Sequence, residues 1–252
     1  MKLLTLARDL QRRKARERLG LFVAEGVRAT EELLRSPLRV RGILFGPALS
    51  NVPRGDELRE MIRARGIPVT DVTEPEFDSA AGTDAPQGVL AIGEIPQRAL
   101  ATLELGETSR LLVLDAIQDP GNAGTLLRTA AALGVAATLA LPGTVDLWNA
   151  KVVRSAVGAL FHRPPVSTTW ELLDVFLNER RVVLWGADTV GEPIDGLSAP
   201  ARMALVVGNE GGGLSAQARR RVERVVTVPI EPGVESLNVA VAAGILLHHF
   251  RP

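Results

Sequence analysis

Cysteine and tyrosine are absent from this 252-residue chain. The first absence excludes disulfide staples, thiol nucleophiles and cysteine-based zinc sites. Histidine is scarce, occurring at His162 and at the adjacent pair His248 and His249, so no metal site is expected. No apolar run reaches the roughly 18 residues that span a bilayer. The first residues also become highly charged too soon for a secretory signal, and a cytoplasmic protein is expected. A net charge is missing too: 29 basic and 29 acidic residues cancel. That balance argues against a uniformly basic nucleic-acid binder but not against a local patch.

What is present is the composition of a globular protein, 46% hydrophobic and 23% charged, with length for one large domain or two small ones. Charge is concentrated at the start. Lys2, Arg8, Arg12, Arg13, Lys14, Arg16 and Arg18 face only Asp9 and Glu17 within residues 1–18. This segment is either a solvated helix face or a patch for RNA phosphates, and Arg12, Arg13, Lys14 and Arg16 are the candidate RNA contacts.

Periodicity divides the chain. Residues 2–19 read as one basic helix and 25–35 as a second. Residues 40–45, 67–69 and 88–92 read as strands and 57–65 as a helix, so residues 1–95 form a small α/β domain. Residues 96–109, with Pro96 and Gly106, are the expected linker. The segment 110–252 restarts with the apolar strand LLVLDA, which suits a parallel strand buried on both faces. Helices expected at 123–133, 147–160, 170–180, 216–222 and 237–250 alternate with strands at 136–141, 181–187, 203–207 and 225–228. Thr168 and Glu171 form an expected capping box for the helix at 170. The alternation predicts a doubly wound parallel sheet, with ligands beyond the carboxyl ends of its strands.

Three loops at those ends are unusual: DPGNAGTLLRTA (119–130), VVGNEGGGL (206–214) and PIEPGVESLNVAVA (229–242). The chain has six asparagines, and Asn122, Asn209 and Asn238 place one in each loop. Glycines allow backbone N–H groups to approach a ligand closely, and Asn or Asp can cap the following helix. Turn and cap chemistry would explain any one loop; three at one sheet edge point to a binding site. Neither the phosphate-binding P-loop pattern nor G-x-G-x-x-G is present, which disfavours a nucleotide hydrolase or an ordinary dehydrogenase.

DPGNAGTLLRTAAALG, LVVGNEGGGL and VPIEPGVESLNVAVAAGILL resemble, in order, the three motifs of the SpoU/TrmH family of RNA methyltransferases. KVVRSAVGALFHRPPV is similar to the family's connection between the first two motifs, and FVAEGVRATEELL to the start of its RNA-binding accessory domain. The resemblance implies an N-terminal α/β RNA-binding domain and a C-terminal SPOUT-type parallel-sheet domain with a deep trefoil knot, an exception to the rule against knotted chains. It also implies S-adenosylmethionine as cofactor, a homodimer formed through the C-terminal domain, and 2′-O-methylation of ribose in structured RNA. Ribosomal RNA is favoured over tRNA; a silent assembly factor on the same fold is the competing class.

By that resemblance the catalytic set is Arg128, Asn122, Glu210, Ser236 and Asn238. The cofactor set is Gly186, Ala187, Val207, Gly208, Asn209, Gly211, Gly213, Ile230, Leu237, Asn238 and Val239. Arg128 falls on the second turn after Asn122. Its guanidinium, with a pKa above ~12, suits orienting the 2′-hydroxyl and stabilising a developing alkoxide better than accepting a proton. Asn122 is also expected to cap the helix that follows it, and Ser236 the last helix, with Asn238 inside it. His162 is read as structural, His248 and His249 as helix or interface residues, and Trp148 and Trp185 as core or interface residues.

Overall fold

The computed structural model describes residues 2–252. Its elements in chain order are α1 (Leu3–Asp9), α2 (Arg13–Leu19), β1 (Leu21–Glu25), α3 (Val27–Arg35), β2 (Val40–Phe45), α4 (Gly55–Ala64), β3 (Val69–Asp71), α5 (Glu74–Asp78) and β4 (Val89–Glu94). Then come β5 (Ser109–Leu114), α6 (Pro120–Ala132), β6 (Ala137–Ala140), α7 (Ala150–Ser155), α8 (Ala159–His162), β7 (Val166–Ser167) and α9 (Trp170–Arg180). The chain ends with β8 (Val183–Pro193), β9 (Arg202–Val207), α10 (Ala216–Arg221), β10 (Arg224–Thr227) and α11 (Val239–His249). Among the described residues no helix is long and apolar enough to cross a membrane.

Two compact units form: Met1–Gln97 with Asp146–His162, and Arg98–Val145 with Arg163–Pro252. The contiguous division expected at 96–109 is therefore interrupted. Aromatic packing explains why 146–162 joins the first unit. Phe22, fully buried on β1, meets Trp148 at 4.6 Å and Phe161 at 5.5 Å between ring centroids, and aromatic side chains carry large apolar areas that favour such burial. The expected linker is likewise not free: Leu100 and Leu103 are buried with Val113, Trp170 and Leu173 in the core of the second unit.

The first unit has a four-stranded sheet in the order β1-β4-β2-β3, antiparallel except for the β2–β3 pair. All five residues of β1 are buried, because Leu21 and Val23 pack into the cluster of Leu6, Leu10, Leu44, Phe77 and Leu90 while Phe22 faces the aromatic pair. This strand was not anticipated. Residues 21–25 lack the alternation of a half-exposed strand, and Gly26, at φ 96°, then starts α3 at Val27.

The single N-terminal helix expected over 2–19 is two helices, and the break explains the fate of Arg16. Its side chain is buried, donates to the carbonyls of Leu10 (2.6 Å) and Gln11 (2.9 Å), and pairs with Asp146 at 2.5 Å. It satisfies carbonyls that the interrupted helix leaves open. Arg16 is thus a structural ion-pair partner and not an available RNA contact, which corrects its assignment. Among the described residues Arg12 and Arg13 are exposed and paired with Asp9 and Glu17 on their own surface, and Lys14 is exposed. The helix expected over 147–160 is also divided, into α7 and α8, by Val157 (φ 46°) and Gly158 (φ 83°).

The second unit is a six-stranded, wholly parallel sheet in the order β10-β8-β9-β5-β6-β7. Its central strands β5 and β9 are almost entirely buried, as their continuous apolar sequences require. The register places Leu114 beside Val207, so the loops following β5 and β9 leave the sheet side by side. The α9 helix begins where expected, but Thr169, not Thr168, caps it by accepting from the Leu172 N–H.

Arg16→Ala should destabilise the first unit by about 3 kcal/mol, since it strands the Asp146 carboxylate and two carbonyls. Chemical denaturation followed by tryptophan fluorescence measures this; a change below about 0.5 kcal/mol would be that of an ordinary surface substitution.

Candidate active site

The second unit carries a cavity of about 550 Å³ at the carboxyl ends of its strands, walled by all three of the unusual loops. Gly208 opens the middle loop. A Cβ there would lie 2.1 Å from the Gly213 carbonyl oxygen, so only glycine fits. Asn209 closes the loop through paired backbone bonds with Gly213 (2.9 and 2.8 Å). Its Oδ1 accepts from Gly211 and Gly212 N–H, each at 3.0 Å, and its Nδ2 donates to the Ala116 carbonyl at 3.0 Å. Asn209 spends Oδ1 on its own loop and Nδ2 on the loop after β5, and it acts as a scaffold of the cavity wall.

Glu210 connects the loops. One carboxylate oxygen accepts from the Gln118 N–H (3.2 Å) and the other from the Asp119 N–H (3.1 Å) and Asn122 Nδ2 (3.1 Å). Partial burial opposes its charge, but bonds from its own backbone N–H, from Asn122 and from Gln118 and Asp119 outweigh that and hold its carboxyl below the ordinary range. It is a tethered carboxylate, not the solvated one typical of a loop. Asn122 then accepts at Oδ1 from Asn238 Nδ2 at 2.8 Å. One hydrogen-bonded chain, Glu210–Asn122–Asn238, thereby joins the three loops.

Two capping expectations are corrected. Asp119, not Asn122, caps α6, accepting from the Asn122 N–H at 2.7 Å; Pro120 takes the first helical position, where its missing N–H costs nothing. Asn238, not Ser236, caps α11 by accepting from the N–H groups of Ala240 and Val241. Asn238 uses the side-chain end left over by its helix to reach Asn122, and Asn122 spends both side-chain ends on the other two loops.

Of the expected catalytic residues, Asn122, Glu210, Ser236 and Asn238 line the cavity; Arg128 does not. Arg128 is exposed on α6. Of the expected cofactor residues, Ala187, Gly208, Asn209, Gly211, Gly213, Ile230, Leu237, Asn238 and Val239 line it, while Gly186 and Val207 lie outside its wall. Gly186 is needed for packing, because a Cβ would sit 2.6 Å from Leu214, and Val207 is buried in the sheet.

The loop 187–191, expected from the sequence to line the adenosine pocket, contributes Ala187, Asp188 and Thr189 to the cavity wall. The ladder between β8 and β10 jumps from Gly186 to Glu192, and the resulting bulge turns Ala187, Asp188 and Thr189 into the cavity. Asp188 is nearly buried, paired with Arg219 at 2.5 Å and within 3.5 Å of the Leu214 N–H.

The lining contains Asp188, Glu210 and Glu235 and no Lys, Arg or His. A phosphate would meet carboxylates without a cation, whereas a cationic ligand meets its complement. Ile230, Leu237, Val239, Ala242 and Leu246 add an apolar surface suited to a flat ring. An adenosyl sulfonium fits both demands: positive charge, an apolar base and a size proper to such a volume.

The family model for the SpoU rRNA methylase family matches residues 109–248, and that for the MRM3-like substrate binding domain matches 5–91. The 23S rRNA (guanosine(2553)-2′-O)-methyltransferase RlmP of Bacillus subtilis is 36% identical over 97% of this chain and 94% of its own length. The AdoMet complex of the SpoU methyltransferase AviRb from Streptomyces viridochromogenes superposes with a TM-score of 0.87 at 27% identity, covering 99% of this chain and 96% of that one. An AdoMet-bound rRNA methyltransferase from Sinorhizobium meliloti gives a TM-score of 0.83 at 26% identity, over 98% and 93%.

Because Glu210 accepts its bonds as a carboxylate, with a folded-state pKa below the unfolded one, its hold on the loops is complete above the ordinary carboxylate range and is lost as pH falls through the lower, folded value. Glu210→Gln should remove that acid-dependent step. Hydrogen exchange at Gln118 and Asp119, corrected for intrinsic rates, should show pH-dependent protection in the native protein and weak, pH-independent protection in the variant.

Proposed function

The chain belongs to the SpoU rRNA methylase family, and from that premise we propose that it transfers a methyl group from S-adenosylmethionine to a ribose 2′-hydroxyl of 23S ribosomal RNA, as a cytoplasmic homodimer. The observation that carries this reading is the cation-free, acid-rimmed cavity bounded by three loops that Glu210, Asn122 and Asn238 tie together. Bound there, S-adenosylmethionine supplies an activated methyl group on a sulfonium centre.

The residues of the chain divide the remaining work. Backbone groups of Gly208, Gly211 and Gly213, with Ile230, Leu237 and Val239, hold the cofactor, and the trefoil knot expected of the fold belongs to the same reading. Ser236 lines the cavity with a hydroxyl that has no partner within the chain among the described residues, which suits contact with the ribose. The attacking oxygen develops negative charge as it loses its proton, so a positioned guanidinium acts mainly in the transition state. Arg128, exposed and without a bonding partner among the described residues, is assigned that task, with proton loss assisted by phosphate or water. Asn122 and Glu210 are positioning residues that hold the start of α6.

The dimer reading is supported by the outer surface of α11. Val241 is 51% and Ile245 39% exposed there, beside a groove shared with Thr125, Thr129, His248 and His249. Paired apolar faces of this kind suit a twofold contact. Arg12, Arg13 and Lys14 are retained as proposed RNA contacts on the accessory unit.

The test is mass-spectrometric mapping of 2′-O-methyl groups in RNA from a strain lacking the gene. One 23S site should be lost, and purified native protein should restore it on unmodified RNA. Loss from tRNA alone would redirect the substrate, and RNA binding without methylation would identify an assembly factor. Arg128→Ala should lower single-turnover methylation by roughly 100-fold while leaving S-adenosylhomocysteine affinity unchanged by calorimetry. Arg128→Lys should restore little, because a point charge lacks the planar fork; near-normal turnover in the alanine variant would remove Arg128 from the catalytic set.

A further inference from the structure

The first unit holds a second cleft, of about 480 Å³, in whose lining guanidinium groups outnumber the single acid, Glu25. Three arginines line it: Arg28 from α3, Arg54 from the turn before α4, and Arg154 from α7. Arginine clusters of this kind favour planar, charge-assisted bonds to phosphate oxygens.

The acids nearby take up part of this charge. Glu31, buried on α3, pairs with Arg54 at 3.0 Å, and Arg54 is also within 3.9 Å of Glu57. Glu25 already accepts from the Gly82 N–H at 2.8 Å and from the Thr83 hydroxyl. Arg154 Nη1 stands 3.7 Å from Glu25, beyond hydrogen-bond reach, and is a buried nitrogen with no hydrogen-bond partner. That nitrogen is held by Glu25 as a long ion pair, and the capacity left to the guanidinium lies in the third of the side chain that is exposed. Arg28 is exposed and makes neither an ion pair nor a hydrogen bond among the described residues. Arg54 adopts a left-handed backbone at φ 68°, a conformation that a non-glycine residue keeps only where its surroundings hold it.

We infer that this cleft is an RNA backbone site, in which Arg28 and Arg154 grip phosphate oxygens while Arg54, neutralised by Glu31, shapes the wall. The inference rests on the reading that the chain acts on RNA. It gives the segment 146–162 a purpose in the first unit: this excursion from the second unit delivers Arg154 to the cleft. It also shifts the main grip away from the N-terminal helices, where Arg12 and Arg13 are already paired and Arg16 is buried.

The experiment compares the full-length native protein with Arg28→Ala, Arg154→Gln and the double variant, using an unmodified 23S rRNA transcript as probe. Dissociation constants are measured over a range of salt concentrations. The double variant should bind about 10-fold more weakly at low salt, and its log–log salt slope should fall by about 1 for each phosphate that is no longer neutralised. KM for RNA should rise with kcat at saturating RNA retained, and S-adenosylhomocysteine affinity should be unchanged. Arg28→Glu, at an exposed position, guards against misfolding as the cause and should weaken RNA binding more than Arg28→Ala. Native-like affinity and slope in the double variant, with native protein still methylating the transcript, would overturn this inference alone. Failure of native protein to bind and methylate the transcript would overturn the proposed function with it.

Discussion

The Glu210 carboxylate is the contact on which the active-site architecture depends. The register of β5 against β9 sends two loops off the sheet edge together, and both then present N–H groups with no strand to pair with. Glu210 accepts from two of them and from Asn122, converting three loose connections into one wall. Its charge strengthens each bond relative to a neutral acceptor. Because Asn122 passes the connection to Asn238, the cap of α11 and the first turn of α6 are set by the same group. Asn122 spends both side-chain ends on neighbouring loops and Asn238 one, its other end capping α11, so local helix chemistry and site assembly share residues.

The two clefts divide the electrostatic labour. The cavity at the strand ends is lined by three carboxylates, one of them paired with Arg219; the cleft of the first unit is lined by three arginines and Glu25. A net charge of zero over the chain therefore conceals local fields of opposite sign. A balanced total is no argument against a polyanionic substrate when an exposed cation such as Arg28 lies on a different unit from the carboxylates of that cavity.

The first unit owes its shape to contacts that run far along the chain. Arg16 reaches Asp146 across 130 positions, and Phe22 stacks on residues from the same excursion. A buried pair of this kind is costly to desolvate and is retained where its hydrogen bonds are complete; here the carbonyls of Leu10 and Gln11 complete them. Basic residues close in sequence thus have different fates: Lys14 is at the surface and Arg16 is inside.

By itself the sequence determined the parallel sheet, because continuous apolar runs such as 111–114 and 203–207 leave no other way to bury both strand faces, and the span of α9 could be read to the residue. It also determined which three loops form the site, since glycine and asparagine at strand ends are legible as backbone chemistry. Tertiary structure decided which side chain caps which helix, because Asp119 and Asn122, or Ser236 and Asn238, are equivalent caps until a neighbouring loop claims one of them. It decided that Arg16 is withdrawn from the surface. It decided too that residues 146–162 leave one unit for the other, since a pairing between Phe22 and Phe161 leaves no trace in local pattern. Periodicity reports what a residue does to its neighbours within a few positions; burial and charge pairing at long range follow only from the folded arrangement.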